Sequence, residues 1–214
     1  MTPSKTDIKN QQSYTLRQSL RIKRRHLTRM KQHQHAQKIT QRIVHSTLYK
    51  RSRHIALYLS ADGEVDLSFL INKLHSSSGN GHTKKCYLPV IISRQDSIIH
   101  FAPYEAHTRL KKNCFGILEP VYRKKLLKTA LQMDLVLAPL VAFDEQGNRM
   151  GMGGGFYDRA LQHLKSNPIK TRSLKPRFVG IAHELQRARE VESHTWDIAL
   201  NAIVTERRLS YFHQ

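Results

Sequence analysis

Five of the ten glycines in this 214-residue chain fall within nine positions: Gly147, Gly151, Gly153, Gly154 and Gly155. They lie in Phe143-Asp-Glu-Gln-Gly-Asn-Arg-Met-Gly-Met-Gly-Gly-Gly-Phe-Tyr-Asp-Arg159, between an apolar run and a helical pattern. Glycines there tolerate positive φ and let backbone N–H groups converge on an anion. A helix start just behind them adds donors for phosphate. Arg149 supplies a permanent cation with forked donors. The stretch therefore reads as an anion-binding loop flanked by Arg149 and Asp158; a ligand-free flexible turn is the alternative. It is not the GxxxxGK[ST] loop, because no Lys-Ser or Lys-Thr follows. It is not the GxGxxG fingerprint either, because Phe156 stands where the last glycine is needed.

The flanking elements must position this loop. From Tyr14 to Lys50 the pattern is helical. Leu16, Leu20, Leu27 and Met30, then Ile39, Ile43 and Leu48, recur at helix-compatible intervals. Thr28 is placed to cap a second helix. The first helix also carries Arg17, Arg21, Lys23, Arg24, Arg25, Arg29 and Lys31 around its apolar stripe. His54–Leu59, Cys86–Ile92, Ile98–Ala102, Asp134–Phe143, Phe178–Ala182 and Asp197–Val204 read as strands. Ser60–Gly63 reads as a turn, Val65–Leu74 and residues 156–165 as helices, Ser76–His82 as a loop, and Lys165–Arg177 as a polar, basic insertion. Near-continuous apolar strands alternating with helices predict a mostly parallel sheet covered on both faces. The expected fold is α/β, a three-layer Rossmann-like sandwich with an N-terminal helical segment. Residues 14–214 form one domain in this reading, behind a frayed polar stretch over residues 1–13. Ligands of open sheets bind at the carboxyl ends of strands, which directs attention to the segments after Leu59 and Phe143.

Hydrophobic residues make up 39% and charged residues 24%, a globular balance that excludes a disordered or collagen-like chain. The longest apolar run, Leu135–Phe143, is too short to span a bilayer. The opening MTPSKTDIKNQQS has no apolar core of a secretory signal. Cys86 and Cys114 are far apart and fit two thiols in a reducing cytosol. Lys and Arg total 36 against 16 Asp and Glu, a formal charge of +20 that attracts anions. That charge, with the basic Leu16–Lys31 helix, leaves open a non-specific nucleic-acid-binding protein on a Rossmann-like scaffold. No nucleic-acid motif accompanies it, and aromatics are only 7%. The thirteen histidines show no metal-ligand spacing; His26, His33 and His35 read as surface residues. No HExxH, CxxC or nucleophile-elbow pattern occurs, so no covalent nucleophile is assigned.

Taken together, Asp134-Leu-Val-Leu-Ala-Pro-Leu-Val-Ala-Phe-Asp144 and Gly147-Asn-Arg-Met-Gly-Met-Gly-Gly-Gly-Phe-Tyr-Asp158 resemble the 5-formyltetrahydrofolate cyclo-ligase (methenyltetrahydrofolate synthetase) family. Tyr58-Leu-Ser60 with Glu64, Phe115-Gly-Ile-Leu-Glu-Pro120, and Asp197 with Ile203-Val-Thr-Glu206 extend the resemblance over Leu16–Leu209; the 147–158 stretch is its specific part. The resemblance implies that ATP and 5-formyltetrahydrofolate become 5,10-methenyltetrahydrofolate, ADP and phosphate, with Mg²⁺. The formyl oxygen would attack the γ-phosphate, and N10 would then close the ring as phosphate leaves. A formamide carbon is a poor electrophile and its oxygen a poor leaving group; phosphorylation cures both, leaving the protein to position and stabilise charge.

Residue by residue, the resemblance assigns Arg149, Met150, Gly151, Met152, Gly153, Gly154, Gly155, Phe156 and Tyr157 to ATP, with Met152–Phe156 also touching folate. Arg149 and Asp158 become the catalytic pair, and Asp158 and Asp197 the Mg²⁺ carboxylates. A helix-start acid favoured by the dipole is the plainer reading of Asp158, and a turn acid that of Asp197. Glu64 matches a pterin-binding glutamate, able to accept from ring N–H and exocyclic amine together, and Leu59 an adjacent contact; a solvated helix-start acid is the alternative for Glu64. Phe115 stands where an aromatic packs on a flat ring, or is an ordinary core residue. At the N-terminus Leu16 and Arg17 match an ATP-reaching Lys-x-x-Leu-Arg pattern, but Ser13 replaces its lysine, which keeps a catalytically degenerate nucleotide or folate binder in view. Phe156 replaces a Tyr, losing a hydroxyl and keeping the ring. The expected setting is a cytoplasmic monomer acting on small molecules, folate polyglutamates included, with no membrane and no specific nucleic acid.

Overall fold

Along the central strands, successive side chains are buried on opposite faces, as expected for strands covered on both sides. Ile55, Leu57, Leu135, Leu137, Val179, Ile181, Ala202 and Val204 enter one core; Ala56, Val136, Ala138, Phe178 and Ile203 enter the other. A computed structural model describes residues 5–76, 84–163 and 176–212 of the chain. Three helices open it: α1 (Lys5–Arg25), α2 (Arg29–His45) and α3 (Thr47–Arg51). Then follow β1 (His54–Ala56), α4 (Ser68–Ser76), β2 (Lys85–Ser93), β3 (Ile98–Pro103), β4 (Leu110–Lys112), β5 (Leu118–Pro120), β6 (Leu135–Pro139), β7 (Ala142–Phe143) and β8 (Arg149–Met150). The described chain ends with α5 (Phe156–Leu161), β9 (Arg177–Ile181), β10 (Ala202–Val204) and β11 (Leu209–Tyr211).

Seven strands form the main sheet in the order β11-β10-β9-β6-β1-β2-β3. The five inner strands run parallel, while β3 and β11 pair antiparallel at the two edges. Helices α2, α3 and α4 contribute Ile39, Ile43, Tyr49, Leu70, Ile71 and Leu74 to the first core, and α5 contributes Leu161 to the second. This is the expected three-layer α/β arrangement. A third, smaller core joins Leu20 of α1 to Val141, Ala142, Met150 and Val191, so the N-terminal helix packs on the β7–β8 hairpin.

Several sequence expectations need correction. Residues 5–13 lie in α1 rather than in a frayed stretch. Met30, expected on the apolar stripe, is 69% exposed, and Arg24 of the basic face is fully buried. Asp134–Phe143 is not one strand: β6 ends at Pro139, and Ala142–Phe143 pairs with Arg149–Met150 as a separate hairpin. The last long strand shortens to β10, because Asn201 turns its side chain to accept the Phe178 N–H at 2.8 Å. The helix after β1 starts at Ser68, where Asp66 accepts both the Ser68 N–H and its hydroxyl at 2.9 Å. The β4–β5 pair and the edge strand β11 have no counterpart in the sequence reading. Most of the 76–82 loop and of the 165–177 insertion lies outside the described residues.

Candidate active site

The β7–β8 hairpin presents the glycine stretch, and a buried carboxylate shapes it. Asp144 accepts from the N–H groups of Gln146 at 3.0 Å, Asn148 at 2.9 Å and Val191 at 3.1 Å, and from the Asn148 amide at 2.9 Å. Four donors on one carboxylate fix the turn. Gly147 is required there: its φ is +85°, and a Cβ would lie 2.8 Å from the Phe212 ring.

Beyond β8 the chain enters the exposed Gly151–Gly155 turn. A Cβ at Gly151 or Gly153 would meet nothing within 4 Å, so the backbone faces open space that a ligand can approach. Gly153 has φ +96°, and Gly155, which begins α5, has φ +66°. Two sets of charged groups bracket this turn. From α1, Arg17 Nε donates to the Gly151 carbonyl at 3.1 Å. From the other side, Arg149 donates to Asp158 Oδ1 at 2.6 Å and to the Ile198 carbonyl, with its guanidinium 4.6 Å over the Phe178 ring. The Ile198 N–H also donates to Asp158 Oδ1, at 3.0 Å. Both contacts fall on Oδ1, so Asp158 Oδ2 is uncommitted among the described residues.

The loop after β1 supplies a third wall. Glu64 accepts the Ala61 N–H at 3.0 Å and lies 3.8 Å from Arg24. Burial pushes the Glu64 carboxyl above its ordinary range; the Ala61 N–H and Arg24 only partly oppose this. Tyr157, at the start of α5, is raised by burial of its hydroxyl and next by the field of Glu64, with Arg149 acting the other way. Glu64 and Arg149 thus act on one phenol between them. Phe156 meets Phe115 edge-on with centroids 6.2 Å apart, and Arg94 lies 5.2 Å over the half-exposed Phe115 ring.

The structure thus brings Arg17, Gly151–Gly155, Phe156, Tyr157, Asp158, Arg149, Glu64 and Phe115 to one region. Phe115 is not a core residue. Met152 is exposed on the turn, and Leu59 is half-buried against the first core. Met150 differs from expectation: its side chain enters the third core and its carbonyl accepts the Val141 N–H at 2.7 Å, so it packs the hairpin. Ser13 is also committed elsewhere, donating to Glu192 at 2.9 Å. Asp197 accepts the His194 N–H at 2.7 Å, and the residue after it carries the N–H bound to Asp158. Carboxylate oxygens are the donor type that Mg²⁺ takes.

Two groups escaped the sequence reading. Asp62, at positive φ, binds Arg21 at 2.7 Å, Arg24 at 2.8 Å, and Arg25. Arg24 donates further to the Asp62 carbonyl at 2.7 Å and the Leu140 carbonyl at 3.0 Å. The basic face of α1 is therefore partly spent on holding the β1 loop beside the glycine turn. The Asp62-Gly63 pair was the available signal, since aspartate tolerates left-handed backbone. Second, His35 is half-buried and turned inward: its Nδ1 lies 2.9 Å from that of the buried His183.

The model of the 5-formyltetrahydrofolate cyclo-ligase family matches residues 9–206. A 5-formyltetrahydrofolate cyclo-ligase of Haemophilus influenzae is 35% identical over 193 residues, covering 90% of this chain and 97% of the relative. That of Escherichia coli strain K12 is 34% identical, covering 89% and 98%. Among solved structures, the NMR structure of Aquifex aeolicus 5,10-methenyltetrahydrofolate synthetase superposes with a TM-score of 0.75 at 27% identity, covering 94% of this chain and 93% of that one. A 5,10-methenyltetrahydrofolate synthetase from Mycoplasma pneumoniae gives 0.66 at 26% identity, covering 91% and 98%.

Proposed function

The chain belongs to the 5-formyltetrahydrofolate cyclo-ligase family, and from that premise we propose that the glycine turn, Arg17, Arg149, Asp158 and Glu64 carry out its reaction. The reaction is the ATP-dependent conversion of 5-formyltetrahydrofolate to 5,10-methenyltetrahydrofolate, with release of ADP and phosphate. The observation that carries the residue assignment is the open Gly151–Gly155 turn held between Arg17 on one side and the Arg149–Asp158 pair on the other.

Each group has a task its surroundings permit. The exposed backbone N–H groups of the turn receive the triphosphate. Arg149, fixed by Asp158, Ile198 and the Phe178 ring, holds positive charge where charge develops on the transferred phosphoryl group, with no reorganisation needed at the moment of transfer. The formyl oxygen attacks the γ-phosphorus and ADP leaves. N10 then adds to the activated formyl carbon and gives up its proton, which leaves with the phosphate, and expulsion of that phosphate completes the methenyl bridge. Glu64 accepts hydrogen bonds from the pterin N–H groups as a carboxylate. Phe115 and Phe156, edge-on to one another, form an apolar wall for a flat ring. Asp158 Oδ2 and Asp197 would hold Mg²⁺, which when bound neutralises phosphate charge. The surplus of basic residues raises the local concentration of both anionic substrates, polyglutamylated folate included. The free thiols Cys86 and Cys114 suit a reducing cytoplasm.

The test uses the purified chain with ATP, Mg²⁺ and 5-formyltetrahydrofolate, read by the near-ultraviolet absorbance of the methenyl product. Product formation that Arg149→Ala abolishes in a folded protein supports the assignment. Full turnover by that variant rejects it.

A further inference from the structure

Three metal-capable side chains meet where the parallel strands end. His35 comes from α2, His183 follows β9 by two residues and Glu206 follows β10 by two. One donor atom of each lies within 4.8 Å of the others: His35 Nδ1 is 2.9 Å from His183 Nδ1 and 3.7 Å from Glu206 Oε2. The outer contacts fix which atoms face inward. The Gly63 carbonyl, 3.2 Å from His183 Nε2, can only accept, so Nε2 carries the proton and Nδ1 turns its lone pair to the cluster. Glu206 Oε2 is held by the Glu184 N–H at 2.9 Å. A backbone carbonyl behind an imidazole is the support that ligating histidines use, and the Glu184 N–H fixes Glu206 at the oxygen nearest His35, which keeps a further lone pair. The two separations from His35 Nδ1, 2.9 and 3.7 Å, bracket the ~3.3 Å edge of a tetrahedron with metal–ligand bonds of ~2.0 Å, and the third lies within 4.8 Å.

We propose that His35, His183 and Glu206 form a binding site for a divalent transition metal of the zinc class, on ligands that the nucleotide and folate assignment does not use and joined to the Glu64 loop through the Gly63 carbonyl. The ion takes the place of the proton shared between the two Nδ1 atoms, and the His35 proton moves to its Nε2. His35 and Glu206 also line a cavity of about 570 Å³ with Lys31, Gln34, Glu184, Arg187 and Arg207. Arg187 is paired with Glu184, and Lys31 and Arg207 leave room for water or a small anion as the fourth ligand. Arg24, Lys31 and Lys38 also act on the histidines, so an ion held by charge alone is disfavoured. Imidazole ligation selects zinc, cobalt, nickel or copper over magnesium.

The test titrates the full, tag-free, chelator-treated chain with Co²⁺ and Zn²⁺, without nucleotide or folate, by calorimetry and by the visible d–d band of Co²⁺. His183 is fully buried, so the variants are His35→Ala and Glu206→Gln, the latter still able to accept the Glu184 N–H. One equivalent bound, weakened at least ~10-fold in each variant, unchanged in His107→Ala and not displaced by excess Mg²⁺, is the expected result. Absence of stoichiometric binding, or binding kept in both variants, overturns the site and leaves a structural hydrogen bond between α2 and the sheet.

Discussion

Arg149 and Asp158 meet at 2.6 Å across the glycine turn that separates them in sequence. The pair closes the turn into a loop whose two ends are electrostatically joined, while the backbone between them faces open space. A guanidinium that is 7% exposed is a buried cation, and its partners determine what can be changed without unfolding the hairpin.

Replacing Asp158 separates these roles. Asp158→Ala strands Arg149 with only the Ile198 carbonyl and the Phe178 ring, and loss of one partner of a buried pair costs about 3 kcal/mol. Asp158→Asn keeps an acceptor for the Ile198 N–H and should lose less stability. Both should lower kcat at least ~100-fold, the scale of removing a preorganised electrostatic group. Urea unfolding and steady-state rates on the two variants check this. An Asp158→Asn enzyme with undiminished kcat contradicts the catalytic assignment.

Arg17 reaches the turn from α1 by a single hydrogen bond to the Gly151 carbonyl. A guanidinium at this position that also reaches the triphosphate adds a charge-assisted bond of about 1.5 kcal/mol, so Arg17→Ala should raise the KM for ATP ~10-fold, while loss of the exposed bond to Gly151 should cost no more than about 1 kcal/mol of stability. Ser13 is turned to Glu192. Ser13→Ala should therefore leave the KM for ATP within about twofold. A large effect at Ser13 and none at Arg17, in nucleotide titrations of kcat/KM, would reverse the reading of α1.

How much of this was legible in the sequence depends on where each determinant sits. Short apolar runs marked β1, β2, β3, β6 and β9, because burial on both faces leaves few polar residues in a strand. Thr28 marked the break between α1 and α2, and it does accept the Lys31 N–H at 3.3 Å. Gly151–Gly155 and Arg149 were visible as a local pattern. The contacts of Asp62, Arg24, His183 and Glu206 were not, since their partners lie 22 to 171 positions away and no spacing rule links them. β4, β5 and β11 are three-residue strands, too short for alternation to register. Met30 shows the converse: helix periodicity extended past Arg25, where α1 ends.

Asp62 predicts a dependence of stability on acid. Burial alone would raise its carboxyl, but hydrogen bonds from Arg21, Arg24 and Arg25 outweigh it and hold the pKa at about 2 against an ordinary 3.8. A depressed folded-state pKa contributes stability that is present above the unfolded value and lost as pH falls through the folded one. The contribution is about 2 kcal/mol at neutral pH, lost between pH 3.8 and about 2. Urea unfolding across that window should give a smaller difference between wild type and Asp62→Asn at its acid end than at neutral pH. A difference that stays constant would mean the arginines do not act through the Asp62 charge.

Glu64 has the opposite shift, and it bears on binding. Its carboxyl is raised first by burial, so protonation begins at higher pH than for a solvated glutamate. Only the ionised form accepts from two pterin donors together; the protonated form turns one oxygen into a donor facing a donor. The KM for 5-formyltetrahydrofolate should therefore rise as pH falls, beginning above the usual carboxylate range, while the KM for ATP stays flat over the same interval. Glu64→Gln cannot ionise, so it should show the high KM at every pH and lose the pH dependence. A folate KM in Glu64→Gln that still follows the wild-type profile would mean that the titrating group is elsewhere, and that the wall opposite the glycine turn does not read the pterin.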